Sequence, residues 1–376
     1  MTQATPTAEE FSERLFGATV HMIDVLAVYL GDRLGWYRAL AEDGPATAAE
    51  LVARAGGAER YAREWLEQQA GSGILTVTGD GRDGRAGQAP GPPVGADPAQ
   101  ETRRFALPPG AAEVLTDTTS LSYLAPLARM LGAAAVQLPA LVEAYRGGGG
   151  VGWAEYGVDM RESQADMNRP WFELRLAGAL ASVPDLHTVL SRPGARIADI
   201  GCGAGWSAIA LARAYPSATV DGWDVDEPSV ELARRNAADA GLTERLRFRM
   251  ADAAGLPVGE YDAVFAFECV HDMPRPVEVL AGVRQALRTG GVAVVMDEAV
   301  AYSFTVPGDD LERLMYGFSL LVCLPDGMSS QPSVGTGTVM RPDTLRGYAR
   351  SAGFADIEVL PIEDFGFWRF YRLVGG

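Results

Sequence analysis

The segment AFECVHDMPRP, residues 266–276, places His271 and Asp272 side by side directly after an apolar run. Such a pair is a metal-ligand type, a proton-transfer device, or a strand end whose aspartate caps the helix begun by the following prolines. A neutral imidazole near its usual pKa accepts a proton from a hydroxyl group. Glu268 and Glu298 end two predicted strands and are the second candidates for accepting that proton or orienting a substrate.

A glycine loop forms the second candidate site. The segment ADIGCGAGWS, residues 198–207, follows one predicted strand and opens a predicted helix, with Asp199 at the strand end and Gly201 and Gly203 in the turn. Glycine is needed where backbone touches a ligand or adopts a positive φ. A dinucleotide fingerprint has its third glycine where this chain has Trp206, so a pyrophosphate cradle is disfavoured.

Acidic residues follow the next two predicted strands. Asp224 ends the second strand, where a carboxylate accepts hydrogen bonds from both ribose hydroxyls. Asp252, followed by Ala253, comes after the third strand and is placed to accept a bond from an adenine amino group. Because the carboxyl ends of parallel strands meet at one edge of the sheet, these acids predict a ligand that contains adenosine.

The elements that position these residues run from residue 195 to residue 299, where short apolar runs alternate with helical segments. Strand and helix in strict succession predict a parallel sheet covered on both faces. The last two apolar runs, IEVLPI and GFWRFYRL, are joined by a short acidic turn and predict an antiparallel hairpin at the sheet edge. The predicted fold class is therefore α/β, a Rossmann-like sheet with an antiparallel terminal hairpin.

The N-terminal part has a different pattern. Residues 8–42 have helical periodicity, which predicts one long helix or two in sequence. Residues 45–77 predict helix, turn, helix and then a strand that begins near Ile74, which is the order of a winged helix. Residues 79–102, rich in glycine and proline, fit the wing tip. We predict a mostly helical winged-helix domain that serves dimerisation, in a homodimer or a higher homo-oligomer.

Charge and composition exclude several functions. The formal net charge is −17, and the second helix of the winged-helix segment carries Glu59, Glu64 and Glu67, so we predict no nucleic-acid partner. The chain has no lysine, which excludes Schiff-base chemistry and a Walker-type loop. Because neither a signal-like N-terminus nor an apolar run of about 18 residues is present, we expect a cytoplasmic protein without a membrane partner.

A helical segment, residues 111–190, is predicted to link the two parts and to cover the substrate. Within it, RGGGGVGW, residues 146–153, contains four consecutive glycines and predicts a hinge or a close backbone approach. Aromatic and methionine side chains near the predicted lid indicate an apolar or aromatic substrate. The candidate substrate contacts are Trp153, Tyr156, Phe172, Met315 and Phe318.

Residues 195–300 resemble the core of the class I S-adenosylmethionine-dependent methyltransferases. The matching pieces are ADIGCGAG, the acid in DGWD, MADA after the third strand, and YDAVFAFECVHDM followed by LRTGGVAVVMDE. Other segments, among them YAREWLEQQAGSGIL and YGFSLLVCLPDGMSSQ, extend the resemblance over nearly the entire chain to bacterial members with an N-terminal winged-helix domain. The expected domains are a winged-helix and dimerisation domain over 1–110, a helical linker and cover over 111–190, and a methyltransferase domain over 191–376.

The resemblance implies that the cofactor is S-adenosyl-L-methionine. In that family the glycine loop lies by the methionyl end, the acid after the second strand holds ribose, and the acid after the third strand faces adenine. The predicted cofactor-binding residues are Asp199, Gly201, Gly203, Asp224, Asp252, Ala253 and Phe267.

The implied activity is methylation of a small, partly apolar or aromatic metabolite, preferably at oxygen, in bacterial secondary metabolism. The alternatives are carbon methylation of a 2-oxo acid or an isoprenoid diphosphate, a methyltransferase fold recruited for non-methyl chemistry, and a ligand-sensing winged-helix regulator. Similar enzymes that methylate carbon beside a 2-oxo acid hold a metal with a His-Asp pair and a later histidine. Here His21 and His187 lie upstream, Val322 or a neighbour occupies the later place, and the three cysteines are expected in the core, so no metal site is predicted.

Overall fold

The computed structural model describes residues 6–79 and 102–375, which form two units, Met1–Gly132 and Ala133–Gly376. The segment predicted as linker and cover, residues 111–190, is divided between these two units. The first unit contains α1 Ala8–Arg33, α2 Trp36–Asp43, α3 Ala48–Ala55, α4 Glu59–Gly71, β1 Thr76–Gly79, β2 Arg104–Ala106, α5 Pro109–Thr116 and the start of α6 Ala125–Val136.

The first unit has the element order predicted for a winged helix. Helix α3 is followed by α4, and β1 then pairs antiparallel with β2. Strand β1 begins at Thr76, slightly later than the predicted start near Ile74. Residues 80–101, which contain most of the predicted wing tip, lie outside the described residues. The core is centred on Trp65, whose ring meets those of Trp36 and Tyr37 edge-on with centroids 5.0 Å apart.

Helix α1 carries an apolar stripe that the first unit does not bury. Its most exposed large apolar side chains are Phe11, Leu15, Phe16, Met22 and Ile23. In the part of the chain that the structure describes, α1 alone reaches the length and hydropathy of a membrane span, and α6 with α7 (Leu138–Gly147) does so only jointly, across a bend of 58°. The count of uninterrupted apolar residues did not predict this property of α1.

The second unit is built on a seven-stranded sheet with the order β5-β4-β3-β6-β7-β9-β8. Five strands are parallel, and β9 runs antiparallel to both β7 and β8. This arrangement confirms the predicted Rossmann-like sheet and its terminal hairpin. After α7 the unit contains α8 Gly157–Trp171, α9 Ala177–Ala181, α10 Pro184–Leu190, β3 Arg196–Ile200, α11 Trp206–Ala214, β4 Thr219–Asp224, α12 Glu227–Asp239, β5 Leu246–Met250, β6 Tyr261–Phe267, α13 Pro276–Ala286, β7 Leu287–Glu298, α14 Asp310–Phe318, α15 Leu324–Ser329, α16 Pro342–Ser351, β8 Asp356–Val359 and β9 Trp368–Val374.

The strand order reverses between β3 and β6. The chain proceeds from β3 outward through β4 to β5 and then crosses back to β6, so the carboxyl ends of β3 and β6 border a crevice. Every residue of β6 is buried, which explains the apolar run of residues 263–267 that follows Asp262. The glycine loop follows β3, and a short 3₁₀ turn, Val270–Asp272, follows β6. The glycine loop and the turn that carries His271 therefore lie together at this crevice.

The glycine run before Val151 makes a close backbone contact, as the sequence predicts. A Cβ at Gly150 would lie 1.9 Å from the carbonyl oxygen of Pro325, so only glycine fits there. The backbone N–H of Val151 donates to that same oxygen at 3.0 Å. This contact fixes the segment before α8 against helix α15.

Candidate active site

The glycine loop between β3 and α11 is folded around positive φ values. Gly201 has φ 62° and Gly203 has φ 50°. A Cβ at Gly201 would lie 2.6 Å from the Cβ and 2.7 Å from the Sγ of Cys269, so the loop and the segment after β6 are in close contact. Both requirements, the backbone conformation and the close approach, select glycine.

Asp199 lies at the end of β3 beneath this loop and is fully buried. Its Oδ2 accepts a hydrogen bond of 2.6 Å from the Ser207 hydroxyl, whereas its Oδ1 has no donor among the described residues. Burial raises the pKa of Asp199 to about 7, against the lowering effect of the Ser207 hydrogen bond. A buried oxygen without a donor is suited to a ligand that carries an N–H group.

Asp224 ends β4 as predicted and faces the glycine loop. Its Oδ2 accepts the backbone N–H of Gly203 at 2.8 Å, and its Oδ1 accepts that of Asp226 at 2.9 Å. Burial raises the pKa of Asp224, and these two backbone donors oppose that shift. Each carboxylate oxygen has a second lone pair, so the oriented group can still accept bonds from ribose hydroxyls.

Asp252 follows β5, and its exposed side chain begins a short turn. Its Oδ1 accepts the backbone N–H of Ala254 at 2.8 Å, which caps the 3₁₀ turn Ala253–Gly255. Its other oxygen lies 3.7 Å from the guanidinium of Arg275. Ala253 is buried. These contacts explain the acid at this place structurally, and its role at adenine stays a prediction.

His271 is 3% exposed and is surrounded by carboxyl groups. Its Nδ1 lies 2.9 Å and 3.1 Å from the two carboxylate oxygens of Asp297 and 3.3 Å from Oε2 of Glu298. Its Nε2 lies 3.3 Å from Oδ1 of Asp272. The Nδ1–H therefore donates to Asp297, which orients the ring and leaves Nε2 as the nitrogen for proton transfer.

The acids around His271 set its charge. Burial lowers the pKa of His271, but the negative charges of Asp272, Asp297 and Glu298 outweigh burial and raise that pKa well above 6.5. The expectation of a neutral imidazole near its usual pKa is therefore wrong, because the sequence did not reveal how many carboxylates face the ring.

The remaining predicted catalytic acids differ in their surroundings. Burial raises the pKa of Glu268 to about 7, and both of its oxygens already accept hydrogen bonds from Trp368 and Asn168. Burial raises the pKa of Glu298 well above its usual value, and its Oε2 has no hydrogen-bond donor among the described residues. Glu268 is therefore held in place by neighbours, whereas Glu298 has an oxygen free toward His271.

Asp272 does not cap the helix that follows, contrary to one of the sequence interpretations. Helix α13 begins at Pro276 after Arg275, whereas Asp272 is the last residue of the 3₁₀ turn after β6. Its Oδ1 is buried and has no hydrogen-bond partner among the described residues, although it lies 3.3 Å from Nε2 of His271. Burial raises the pKa of Asp272, and the charge of His271 opposes that shift. Asp272 belongs to the shell of acids around the imidazole.

The predicted substrate-contact residues divide into two groups. Phe172 packs in the core of the second unit, edge-on to Phe267 with ring centroids 5.4 Å apart, so both side chains have packing roles and their ligand contacts stay predictions. Trp153 and Tyr156 instead hold the cover segment. The backbone N–H of Trp153 donates to Oδ1 of Asp326 at 2.8 Å, and the Tyr156 hydroxyl donates to the carbonyl of Leu321 at 2.7 Å.

The other two candidates, Met315 and Phe318, lie on helix α14. Met315 is buried and Phe318 is half-buried. A π-helical turn, Ser319–Cys323, continues α14 into α15, which carries Asp326. Burial raises the pKa of Asp326 to about 7, with a further increase from Asp272. Helix α15, against which the segment before α8 packs, thus carries an ionisable group that the sequence analysis did not single out.

Sequence reasoning missed two side chains that contact His271. Asp297 directly precedes Glu298, and the pair of consecutive acids ending an apolar strand was the available signal. Cys323 was expected in the core, but its Sγ lies with ligand atoms of His271 and Asp272 in a group whose members are within 4.8 Å of one another. The second such group comprises His271, Asp297 and Glu298.

A doubly wound sheet with a glycine loop after its first strand and a carboxylate after its second defines a protein that binds an adenosine-containing cofactor. Two family models match this chain: a methyltransferase domain over residues 197–291 and an Rv2258c-like winged HTH domain over residues 23–81. The first match lies within the segment expected as the methyltransferase domain, residues 191–376, and the second lies within the segment expected as the winged-helix domain, residues 1–110.

Two curated relatives each match less than half of this chain. The 27-O-demethylrifamycin SV methyltransferase of Amycolatopsis mediterranei is 33% identical over 170 residues, which cover 43% of this chain and 54% of that protein. A ubiquinone biosynthesis O-methyltransferase of Aromatoleum aromaticum is 30% identical over 173 residues, covering 44% of this chain and 67% of that protein. Of two further curated methyltransferases, the chain spans only 39% and 40% of the length.

A solved structure matches over almost the full length. The mitomycin 7-O-methyltransferase MmcR has a TM-score of 0.67 and 20% identity, with 98% of this chain and 97% of that chain covered, which is a likeness of fold. The chain belongs to the class I S-adenosylmethionine-dependent methyltransferases that carry an N-terminal winged-helix domain.

The residues present fit S-adenosylmethionine as the cofactor. The donor-free, buried Oδ1 of Asp199 suits the ammonium group of the methionyl part, and Gly201 leaves no space that a side chain could fill. Asp224 is oriented by Gly203 so that its remaining lone pairs can accept bonds from ribose. The glycine loop lacks the spacing typical of loops that bind nicotinamide dinucleotides, since Trp206 stands at the place of the third glycine.

Proposed function

We propose that this protein transfers a methyl group from S-adenosylmethionine to an oxygen atom of a small, partly apolar metabolite, in bacterial secondary metabolism and in the cytoplasm. The observation that carries the proposal is His271, oriented by Asp297 at the crevice that also contains the glycine loop and Asp224. Its similarity to the 27-O-demethylrifamycin SV methyltransferase and to the mitomycin 7-O-methyltransferase supports this proposal.

The chain's own residues bind, orient and move one proton in this reaction. S-adenosylmethionine supplies a methyl group on a sulfonium, an electrophile that is already activated. Nε2 of His271, once deprotonated, accepts the hydroxyl proton of the acceptor, and Asp297 stabilises the imidazolium that results. The cover segment, held by Trp153 and Tyr156, aligns the acceptor and excludes water.

Replacing Asp224 by alanine tests the cofactor site. The variant should bind S-adenosylmethionine and its demethylated product more weakly by about 1–3 kcal/mol, because charge-assisted hydrogen bonds to ribose are lost. Titration calorimetry measures this, with Asp239→Ala, an exposed acid at the end of α12, as the control of unchanged affinity. Unchanged affinity in Asp224→Ala would remove the ribose assignment.

Product analysis tests the chemistry. Candidate metabolites are incubated with the trideuteromethyl form of the cofactor, and the products are examined by mass spectrometry for the labelled methyl group and by fragmentation for the methylated atom. A product methylated at carbon would assign one of the alternative activities. A product that has changed without gaining the label would assign non-methyl chemistry to this fold.

One observation favours a second candidate, carbon methylation of a 2-oxo acid held by a metal. The ligand atoms of His271, Asp272 and Cys323 lie within 4.8 Å of one another, which suits a divalent cation with open positions. Val322, which is buried, or a neighbour of it occupies the place where similar enzymes have a histidine. Stoichiometric iron or zinc, with activity lost on chelation and restored by metal, would favour this candidate over the base mechanism.

We propose further that the winged helix does not bind DNA. On α4, Arg60 pairs with Glu64 and Arg63 pairs with Glu59, so both basic side chains are already neutralised by acids of the same helix. In a gel-shift experiment at physiological salt with competitor DNA, we expect no retarded band. Specific retardation would contradict this prediction and favour the ligand-sensing regulator.

The exposed stripe of α1 supports the proposal of a homodimer. Phe16 is 72% exposed, and five further large apolar side chains of the same helix are more than half exposed, which is the pattern of a subunit contact. Light scattering at micromolar concentration should give twice the chain mass of 39.9 kDa. The variant Phe16→Glu should shift the protein toward monomer, whereas a monomeric parent would contradict the proposal.

A further inference from the structure

Helix α8 carries three polar side chains on one face, Arg161, Gln164 and Asn168, which are one and two helical turns apart. Arg161 pairs with Asp226, which follows β4. Gln164 and Asn168 both donate to Oε2 of Glu268, which follows β6. Since β3 lies between β4 and β6, this one helix is attached on both sides of the strand that ends in the glycine loop.

The contact between Arg161 and Asp226 is a partly buried, two-pronged ion pair. Nε of Arg161 lies 2.7 Å from Oδ2 of Asp226, and Nη2 lies 3.3 Å from Oδ1. Each side chain is only 12% exposed. Burying two charges costs much of the free energy that their attraction returns, so such a pair is a weak source of stability but fixes one arrangement of the two elements.

Asp226 is bonded in turn to the carboxylate assigned to ribose. Its backbone N–H donates to Oδ1 of Asp224 at 2.9 Å, and its side chain caps α12 through the N–H and hydroxyl of Ser229. The other oxygen of Asp224 accepts the N–H of Gly203. A displacement of Asp226 therefore changes the orientation of Asp224, although Arg161 contacts neither Asp224 nor the glycine loop.

We propose that Arg161 is a positioning residue for cofactor binding, which couples the seating of helix α8 to the orientation of the Asp224 carboxylate. The helix closes one wall of the crevice when the ion pair is formed, and cofactor binding at Asp224 stabilises that closed arrangement. The inference rests on the proposed function, because it requires the adenosyl group of the cofactor at Asp224.

Three variants isolate the ion pair. Arg161→Met removes the guanidinium and keeps a long side chain. Asp226→Asn removes the charge but keeps a preferred N-cap residue and the backbone N–H to Asp224. Arg175→Met is the matched control, because Arg175 is an exposed arginine in the π-helical turn that continues α8, and no ion pair is formed by it within the described residues.

Calorimetry with S-adenosylhomocysteine should show the dissociation constant raised about tenfold in Arg161→Met and in Asp226→Asn, a size usual for coupling between sites. The double variant should bind no more weakly than the weaker single variant, because both changes remove the same interaction. Arg161→Lys should lie between parent and Arg161→Met, since it keeps the charge but not the fork. Hydrogen exchange over residues 157–171 should slow with ligand in the parent and not in Arg161→Met.

The outcomes separate this inference from the proposed function. A parent protein that fails to bind the ligand overturns the proposed function. A parent that binds, with Arg161→Met binding equally well or the two single effects simply adding, overturns the positioning role alone. If Arg161→Met lowers the melting temperature of the ligand-free protein, Asp226→Asn decides: a raised dissociation constant with unchanged melting supports the role, and an unchanged constant overturns it.

Discussion

Replacing His271 by alanine is expected to lower turnover by about 10²–10⁴, the usual contribution of a positioned general base. The imidazole is buried against Asp297, so the variant removes the proton acceptor without touching the glycine loop or Asp224. Affinity for S-adenosylmethionine should therefore stay near that of the parent, and the loss should appear in turnover. Steady-state kinetics on the acceptor identified by product analysis, together with calorimetry, measure both quantities.

The matched control is His187→Ala. His187 lies on α10, where its Nδ1 is 3.4 Å from the Tyr215 hydroxyl, so it belongs to a helix and not to the crevice. This variant should keep turnover. If His271→Ala also kept full turnover, His271 would have a packing role, and alignment with exclusion of water would account for the reaction.

The cofactor half of the site could be predicted because its signals are local. Asp199, Gly201 and Gly203 lie in one strand–turn–helix segment, and Asp224 ends the following strand. Each of these residues is determined by the backbone of its own segment. The glycines are required by a positive φ or a close backbone approach, and the aspartates lie at the ends of strands. The alternation of apolar runs and helices also predicted the parallel sheet, and the carboxyl ends of its strands bring these residues together.

The catalytic half was less accessible because its contacts are distant in sequence. Asp297 reaches His271 only because β6 and β7 pair in the register that places Phe267 opposite Met296. The charge of His271 depends on three carboxylates together, and spacing along the chain does not report such a sum. Cys323 likewise approaches the ring through a helix that lies far away in the sequence.

Replacing Asp297 by asparagine should change both the plateau and the pH dependence of turnover. Loss of the negative charge lowers the raised pKa of His271, so the ring loses its proton at a lower pH than in the parent. The acidic limb of the profile, which in the parent should lie well above pH 6.5, then moves to lower pH. An asparagine also orients the ring less strictly and permits the wrong tautomer, so the plateau should fall by about 10²–10⁴.

Glu298→Gln is the matched control for Asp297→Asn. Its Oε2 lies 3.3 Å from the same Nδ1 but accepts no hydrogen bond, so it acts on the ring through charge without orienting it. In Glu298→Gln the acidic limb of the pH profile should also move to lower pH, while the plateau of turnover stays within about tenfold of the parent. Rates of both variants and the parent between pH 5 and pH 10 give the comparison. A parent limb near pH 6.5 or below, or an Asp297→Asn profile that coincides with the parent's, would contradict proton transfer by an imidazole whose charge these acids control.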